Sequence, residues 1–242
     1  MVLSDGRLLE LWDAQRDRIP LLQALELLAV AWPEQPAEQW ANLSLGQRDE
    51  HLLTLHGAWF GGRFELAARC DRCGEVLELD FAAADIRAPA PDRPAAGEIE
   101  ADGYRLRCRP PTSADLLAVS GLGLGESARR ALLERCVEVV SPTPETGLAG
   151  ELPEAVRAAA EAAMARADPQ AEVSLAVSCP ACGHGWSETF DVLAYLWDEI
   201  DQWAKRLLRE IHVLAGAYGW SEADILALSP VRRRIYLELN GA

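Results

Sequence analysis

The sequence predicts a mostly helical α+β protein, with helices at both ends and two short β-hairpins between them that each carry a pair of cysteines. Three observations lead there. Apolar residues recur at steps of three and four near both ends, the spacing of one helical face. Two segments read as strand, tight turn, strand, and they match each other at a fixed offset. Half of the 242 residues are apolar, enough for a sizeable core.

Ser4 is placed to cap a first helix carrying Leu8, Leu9, Leu11 and Trp12. Pro20 suits the first turn of a second helix, PLLQALELLAVAW, because that position needs no N–H donor. PEQP at 33–36 breaks it. Ser44 with Gln47 reads as a capping box, opening a third helix through Leu52, Leu53, Leu55 and Trp59. Gly61 and Gly62 stop that helix and close an N-terminal helical region, residues 1–62.

The first cysteine segment, LAARCDRCGEVLELDF, runs from Leu66 to Phe81; the second, LAVSCPACGHGWSETF, runs from Leu175 to Phe190. A shift of 109 residues (179 − 70 = 109) superposes them. Cys70 and Cys73 then meet Cys179 and Cys182, Gly74 meets Gly183, and Phe81 meets Phe190. A glycine just behind the second thiol tolerates positive φ and lets the chain turn back. The pair reads as two related hairpins, each presenting two thiols.

Two chemistries use such thiols. Zinc favours four soft ligands at tetrahedral corners, and a closed set of four cysteines makes a structural site. A redox dithiol is the other reading, and Pro180 inside the second CxxC suits it. Redox pairs of the thioredoxin type, however, sit at a helix N-terminus within a βαβ pattern, whereas both pairs here lie between strand-like runs. A third reading, ordinary buried thiols, has two matched pairs against it. The preferred reading is one structural zinc ion on Cys70, Cys73, Cys179 and Cys182. It forms a zinc-ribbon-like centre of two zinc knuckles within residues 63–190, with an α/β segment inserted between them. His184 falls where the first copy has Glu75, so it reads as an exposed turn residue and not a ligand. Cys108, in a strand-like run, and Cys136, in a helical run, read as small core residues.

The inserted segment opens with RAPAPDRPAAG (87–97), a proline-rich surface connection. EIEADGYRLRCR reads as a hairpin on Asp102-Gly103. Thr112 or Ser113 caps a helix through Leu116 and Leu117. GLGLGES (121–127) departs from the dinucleotide fingerprint, since it follows a helix and lacks the third spacing; it reads as a loop. Helices follow near 127–140 and 153–167, separated by SPTPETGLAGELP.

Residues 191–242 form the most regular part. Leu193, Leu196, Ile200, Trp203, Leu207, Ile211 and Leu214 fall on one stripe of a helix of about 24 residues, roughly 36 Å long. Ser221 with Asp224 caps a short helix, with Trp220 and Ile225 placed as a hydrophobic staple. Ser229 and Pro230 start a last one, PVRRRIYLELN, ended by Asn240-Gly241. This long helix and helix-turn-helix tail read as a partner-binding arm. Its candidate contacts are Trp203, Tyr218, Trp220, Arg232 and Arg233, because aromatic and arginine side chains are the commonest interface anchors.

A net charge of −15 disfavours general nucleic-acid binding, which needs a basic face, and association with anionic membranes. A protein partner is the expectation. The start, MVLSDGRLLELWDAQR, is charged from Asp5 onward and holds no apolar leader core. No run of about 18 apolar residues occurs. A cytoplasmic protein is expected, where six cysteines are metal ligands or core residues more often than disulfides. No Ser-His-Asp set, paired acid motif or metal site with an open position is visible, so no enzyme is expected.

The tail AYGWSEADILALSPVRRRIYLELN after a long helix resembles the T4-type phage baseplate hub assembly chaperone family. It is similar above all to the branch found beside bacterial contractile injection systems. There a CxxCG knuckle and a CPxCG knuckle flank a variable middle, as Cys70/Cys73 and Cys179/Cys182 do here. The likeness covers both knuckles, DGYRLRCRPPTSADL and the C-terminal third. It implies a non-enzymatic role in building the baseplate or hub of a contractile tail. Its implied partners are baseplate, hub or spike proteins, met in the cytoplasm or within an assembled injection-system particle. It brings no catalytic residues. The competing expectation is a zinc-ribbon protein–protein adaptor unrelated to phage tails.

Overall fold

A computed structural model describes residues 3–89, 97–123, 125–141 and 149–241. In chain order, α1 (Asp5–Gln15), α2 (Pro20–Ala31), α3 (Ala37–Asn42) and α4 (Leu45–Phe60) precede a hairpin, β1 (Arg63–Arg69) and β2 (Val76–Ala82). Then come α5 (Ala83–Ile86), β3 (Gly97–Ala101), β4 (Tyr104–Cys108), α6 (Ser113–Val119), α7 (Glu126–Cys136), β5 (Val137–Ser141) and α8 (Glu154–Ala167). The second hairpin is β6 (Val173–Ser178) and β7 (Gly185–Phe190). The long α9 (Val192–Tyr218), α10 (Glu222–Leu226) and α11 (Pro230–Leu239) follow. The fold is mixed α+β and mostly helical.

The helix starts follow local chemistry. Ser4, Ser44, Thr112, Ser221 and Ser229 each accept a backbone N–H of the first turn they cap. Ser44–Gln47, Thr112–Asp115 and Ser221–Asp224 form reciprocal capping boxes. Asp102 and Gly103 take positive φ (47° and 81°) and turn β3 into β4. The run expected as a helix over 127–140 is instead divided: α7 stops at Cys136, and Val137–Ser141 pairs with β4. The free edge of β4 offers a ladder to a segment whose Val137, Val139 and Val140 favour extended backbone. The short α3 and α5 carry no pattern long enough to read. Most of the proline-rich connection (90–96) and of SPTPETGLAGELP (142–148), with Leu124 of the glycine loop, lies outside the described residues.

The chain groups into two compact units, one joining residues 1–23 to 193–242 and the other spanning 24–192. The sequence suggested segments 1–62, 63–190 and 191–242, a division along the chain. In space, residues 1–23 belong with the tail.

In the first of these units, α9 runs 27 residues and buries Leu193, Leu196, Ile200, Ala204, Leu207, Ile211 and Leu214. Trp203 is only half-buried, and Ala204 takes the place in the buried line expected of it. α1 buries Leu8, Leu9, Leu11 and Trp12, and the Trp12 Nε1–H donates to Asp201 Oδ1 of α9 at 3.0 Å.

The second unit holds the three sheets: β1–β2, β3–β4–β5 and β6–β7, all antiparallel. One cluster of its core gathers Leu106, Leu133, Val137, Leu152 and Val156 around Cys108 and Cys136, both buried as expected. Beside Cys136, Asp115 is held below the usual carboxylate range: desolvation opposes this, but Arg109 and the Thr112 N–H and hydroxyl outweigh it. The Gly46 N–H in the first turn of α4 donates to Asp168 Oδ2 at 2.8 Å, tying α4 to the residue that follows α8.

Candidate metal centre

Each hairpin ends in a turn built by its own backbone. Cys70 N–H donates to Glu75 O and Cys179 N–H to His184 O, both at 2.8 Å. Gly74 N–H donates to Cys70 O and Gly183 N–H to Cys179 O, both at 2.9 Å. Gly74 and Gly183 take φ of 78° and 68°, where a Cβ would be strained. The strand registers agree as well. Arg69 pairs with Val76, and Ser178 pairs with Gly185, 109 residues on. The repeat read in the sequence is therefore a repeat of geometry.

These turns bring four thiols together. Sγ of Cys70, Cys73, Cys179 and Cys182 all lie within 4.8 Å of one another. Across the hairpins, Cys70 Sγ is 3.8 Å from Cys182 Sγ, and Cys73 Sγ is 3.6 Å from Cys179 Sγ. The 109-residue shift exchanges one contact for the other, so the repeats face each other about a local two-fold. Phe81 and Phe190, matched by the same shift, meet edge to face with ring centroids 5.3 Å apart. Phe64 stacks on Phe81 and against the buried His56, at 5.3 and 4.0 Å. These rings pack the two hairpins against each other and against α4.

The sulfur spacing excludes disulfides, whose S–S bond is about 2.05 Å, and all four cysteines are free. A tetrahedral ion with metal–sulfur bonds of about 2.3 Å would set sulfur–sulfur edges of about 3.8 Å. The four positions fit such an ion. First members of each pair, Cys70 and Cys179, are almost fully buried, while Cys182 is half-buried and Cys73 exposed.

The thiols do not share one electrostatic environment. Desolvation raises the Cys179 thiol, but N–H donors of Cys182 and Ala181 and the neighbouring thiols bring it down to about 7. The His184 N–H lowers Cys182, yet desolvation and the other three thiols push it up to about 12. In the matched place the Glu75 N–H lowers Cys73, and desolvation with Cys179 and Cys70 raises it overall. Backbone N–H groups thus lower Cys73, Cys179 and Cys182, while burial and some of the neighbouring thiols work against them.

His184 stays outside the cluster. Its Nε2 lies 2.9 Å from Asp71 Oδ1, which links the two turns over the top of the site. Both turns join strands and neither opens a helix, which is not the setting of a thioredoxin-type dithiol.

The residues expected to touch a partner are dispersed. Tyr218 stacks on Trp220 at 4.7 Å, Trp220 meets the edge of Tyr236 at 4.8 Å, and the Tyr218 hydroxyl donates to Tyr236 O. These aromatics pack the turn after α9 onto α11. Trp203 is half-buried and Arg232 is exposed. Arg233 is not on the surface. It is 3% exposed and pairs with Asp5 at 2.5 Å and Glu210 at 3.2 Å, and its Nη1 donates to Leu228 O. One residue along a helix is a 100° rotation, so Arg233 points inward while Arg232 and Arg234 on either side of it stay exposed. Arg233, expected as a partner contact, is instead held inside the protein by this pairing.

No helix among the described residues is long and apolar enough to cross a membrane. Comparison with models of protein families, with curated proteins and with solved structures finds no match.

Proposed function

We propose that the four-cysteine cluster holds one structural zinc ion in a zinc-ribbon-like centre. We further propose that the protein is a non-enzymatic assembly chaperone or structural component for the baseplate or hub of a phage-tail-like contractile injection system. The observation that carries the first part is the convergence of Cys70, Cys73, Cys179 and Cys182 from segments 109 residues apart. A closed set of four thiolates leaves no coordination position for substrate, which supports a structural role for the ion. It would clamp two hairpins that bury little between their own strands, since isolated two-stranded hairpins are marginal in water.

The second part rests on the tail and knuckle pattern that resembles the baseplate hub assembly chaperone family. A cytoplasmic site of action and baseplate, hub or spike partners follow from it. A zinc-ribbon adaptor for other protein partners accounts for the same cluster. Metal analysis of protein purified without added metal tests the ion: about one zinc per chain is expected. A metal-free protein with an unchanged unfolding curve after chelation would refute it. Co-purification of the tagged chain with sheath-, tube-, hub- or spike-encoding gene products from its own cells separates the chaperone from the adaptor. An adaptor would bring down none of these.

A further inference from the structure

The local two-fold makes Cys73 and Cys182 equivalent, yet solvent does not reach them equally. Of the six cysteines, all among the described residues, Cys73 alone is exposed, and Cys182 is half-buried. The difference follows from the positions that the repeat does not match. The 109-residue shift sets His184 against Glu75 and Pro180 against Asp71. His184 is half-buried, lies parallel to the Trp186 ring at 5.9 Å and meets Asp71 Oδ1 at 2.9 Å. Its backbone N–H bonds to Cys182, which places this residue against that thiol. At the other corner Glu75 and Pro180 are both exposed, and a proline side chain offers a carboxylate no donor.

Each of these two thiols also has a close neighbour on the other hairpin. Cys73 Sγ lies 3.6 Å from Cys179 Sγ, and Cys182 Sγ lies 3.8 Å from Cys70 Sγ. A thiol open to solvent with a second one beside it is the arrangement in which a peroxide drives disulfide formation. Cys73 combines both features, whereas Cys182 has the neighbour with less of the access. Access and not acidity distinguishes Cys73, whose thiol lies above its ordinary value.

We propose that Cys73 is the peroxide-reactive thiol of the cluster and that it closes onto Cys179, leaving a disulfide between the two hairpins. The Cys73 thiolate takes one oxygen of hydrogen peroxide, the O–O bond breaks, and the departing hydroxide gains a solvent proton as water. The Cys179 thiolate then attacks the resulting sulfenic acid. The S–S bond forms, and a second hydroxide leaves and is protonated to water. The two sulfurs lose two electrons, and the peroxide gains them. Cys73 and Cys179 then no longer serve as ligands, but the new bond spans residues 106 apart and keeps the hairpins joined. This goes beyond the structural ion, because the cross-link is read whether or not metal is bound.

The full chain, of measured zinc content, is treated with hydrogen peroxide. Remaining thiols are capped with N-ethylmaleimide, and unreduced peptides are mapped by tandem mass spectrometry. The Cys73–Cys179 cross-link is expected to form at least about tenfold faster than Cys70–Cys182. His184→Ala removes the ring beside Cys182 and should bring the two rates within about threefold. Asp71→Ala, which frees that ring, gives the same readout should His184→Ala lose its fold. Cys73→Ser should abolish the fast cross-link. Joining of Cys70 to Cys73 or of Cys179 to Cys182 first would overturn the proposal. So would equal rates for the two crossing pairs in the parent, or a tenfold gap that survives loss of the ring. Metal-free protein that still forms Cys73–Cys179 refutes the ion alone, and zinc-bound protein that never forms it refutes this proposal alone.

Discussion

Replacing Arg233 by methionine isolates the role of its charge, because methionine keeps most of the apolar stem. The guanidinium joins three helices: Asp5 at the start of α1, Glu210 in α9, and the Leu228 carbonyl after α10. Breaking a fully buried ion pair by removing one partner costs about 3–5 kcal/mol. The two acids left behind are not fully buried, at 26% and 38% side-chain exposure, and water would partly solvate them. A loss of about 2–3 kcal/mol is therefore expected. Arg232→Met, one residue away and exposed, should change stability by under about 0.5 kcal/mol. Urea unfolding followed by tryptophan fluorescence measures both, and a midpoint shift at constant slope reports stability alone. If Arg233→Met unfolds with the same midpoint as Arg232→Met, the burial and pairing assigned to Arg233 are wrong.

Other substitutions test the second unit and the metal centre. Gly46→Ala would place a Cβ 2.3 Å from Asp168 Oδ1 and 2.8 Å from the Ala171 backbone, so a loss of about 1–3 kcal/mol in urea unfolding is expected, and a neutral result would refute that contact. Serine at any one of Cys70, Cys73, Cys179 or Cys182 should lower zinc content and stability, whereas Cys108→Ser should leave bound metal unchanged; retained zinc in all four single variants would refute the ligand set. Burial pushes the Asp49 carboxyl up to about 6 despite the Arg48 guanidinium beside it, from an ordinary value of 3.8. The native state then holds this proton to higher pH than the unfolded chain does, so the associated stability is complete below about pH 4 and falls by roughly 2–3 kcal/mol as pH rises to about 6. Asp49→Asn should remove that part of the slope between pH 4 and 6, and an unchanged pH profile would contradict the assignment. Duplex DNA should show no tight, salt-sensitive binding at physiological salt, given the charge of −15, and a steep salt dependence in an anisotropy titration would contradict it.

Much of the four-cysteine cluster was open to reading because its determinants are local. A thiol three residues from its partner, a glycine that must take positive φ, and a register of alternating strand residues all act within one turn. They repeat at the same offset in both copies. Helix starts at Ser44 and Ser221 were legible for the same reason, since a capping oxygen and the N–H it accepts lie three residues apart, and of the two caps offered at 112 and 113 the structure uses Thr112.

What only the tertiary structure decided depends on residues far away in the chain. Arg233 is buried because Asp5, 228 residues distant, reaches it; nothing in PVRRRIYLELN distinguishes it from Arg232 or Arg234. The same docking leaves Val231, Ile235 and Leu239 facing outward, although by sequence they look like any core stripe. Val137–Ser141 becomes a strand only because β4 offers an edge to pair with. Ala204, and not Trp203, lies in the buried line of α9, because the face a long helix buries is set by what packs against it. Caps and turns are closed by atoms a few bonds apart, so the sequence alone determines them; burial is settled by the partner surface that folding brings up.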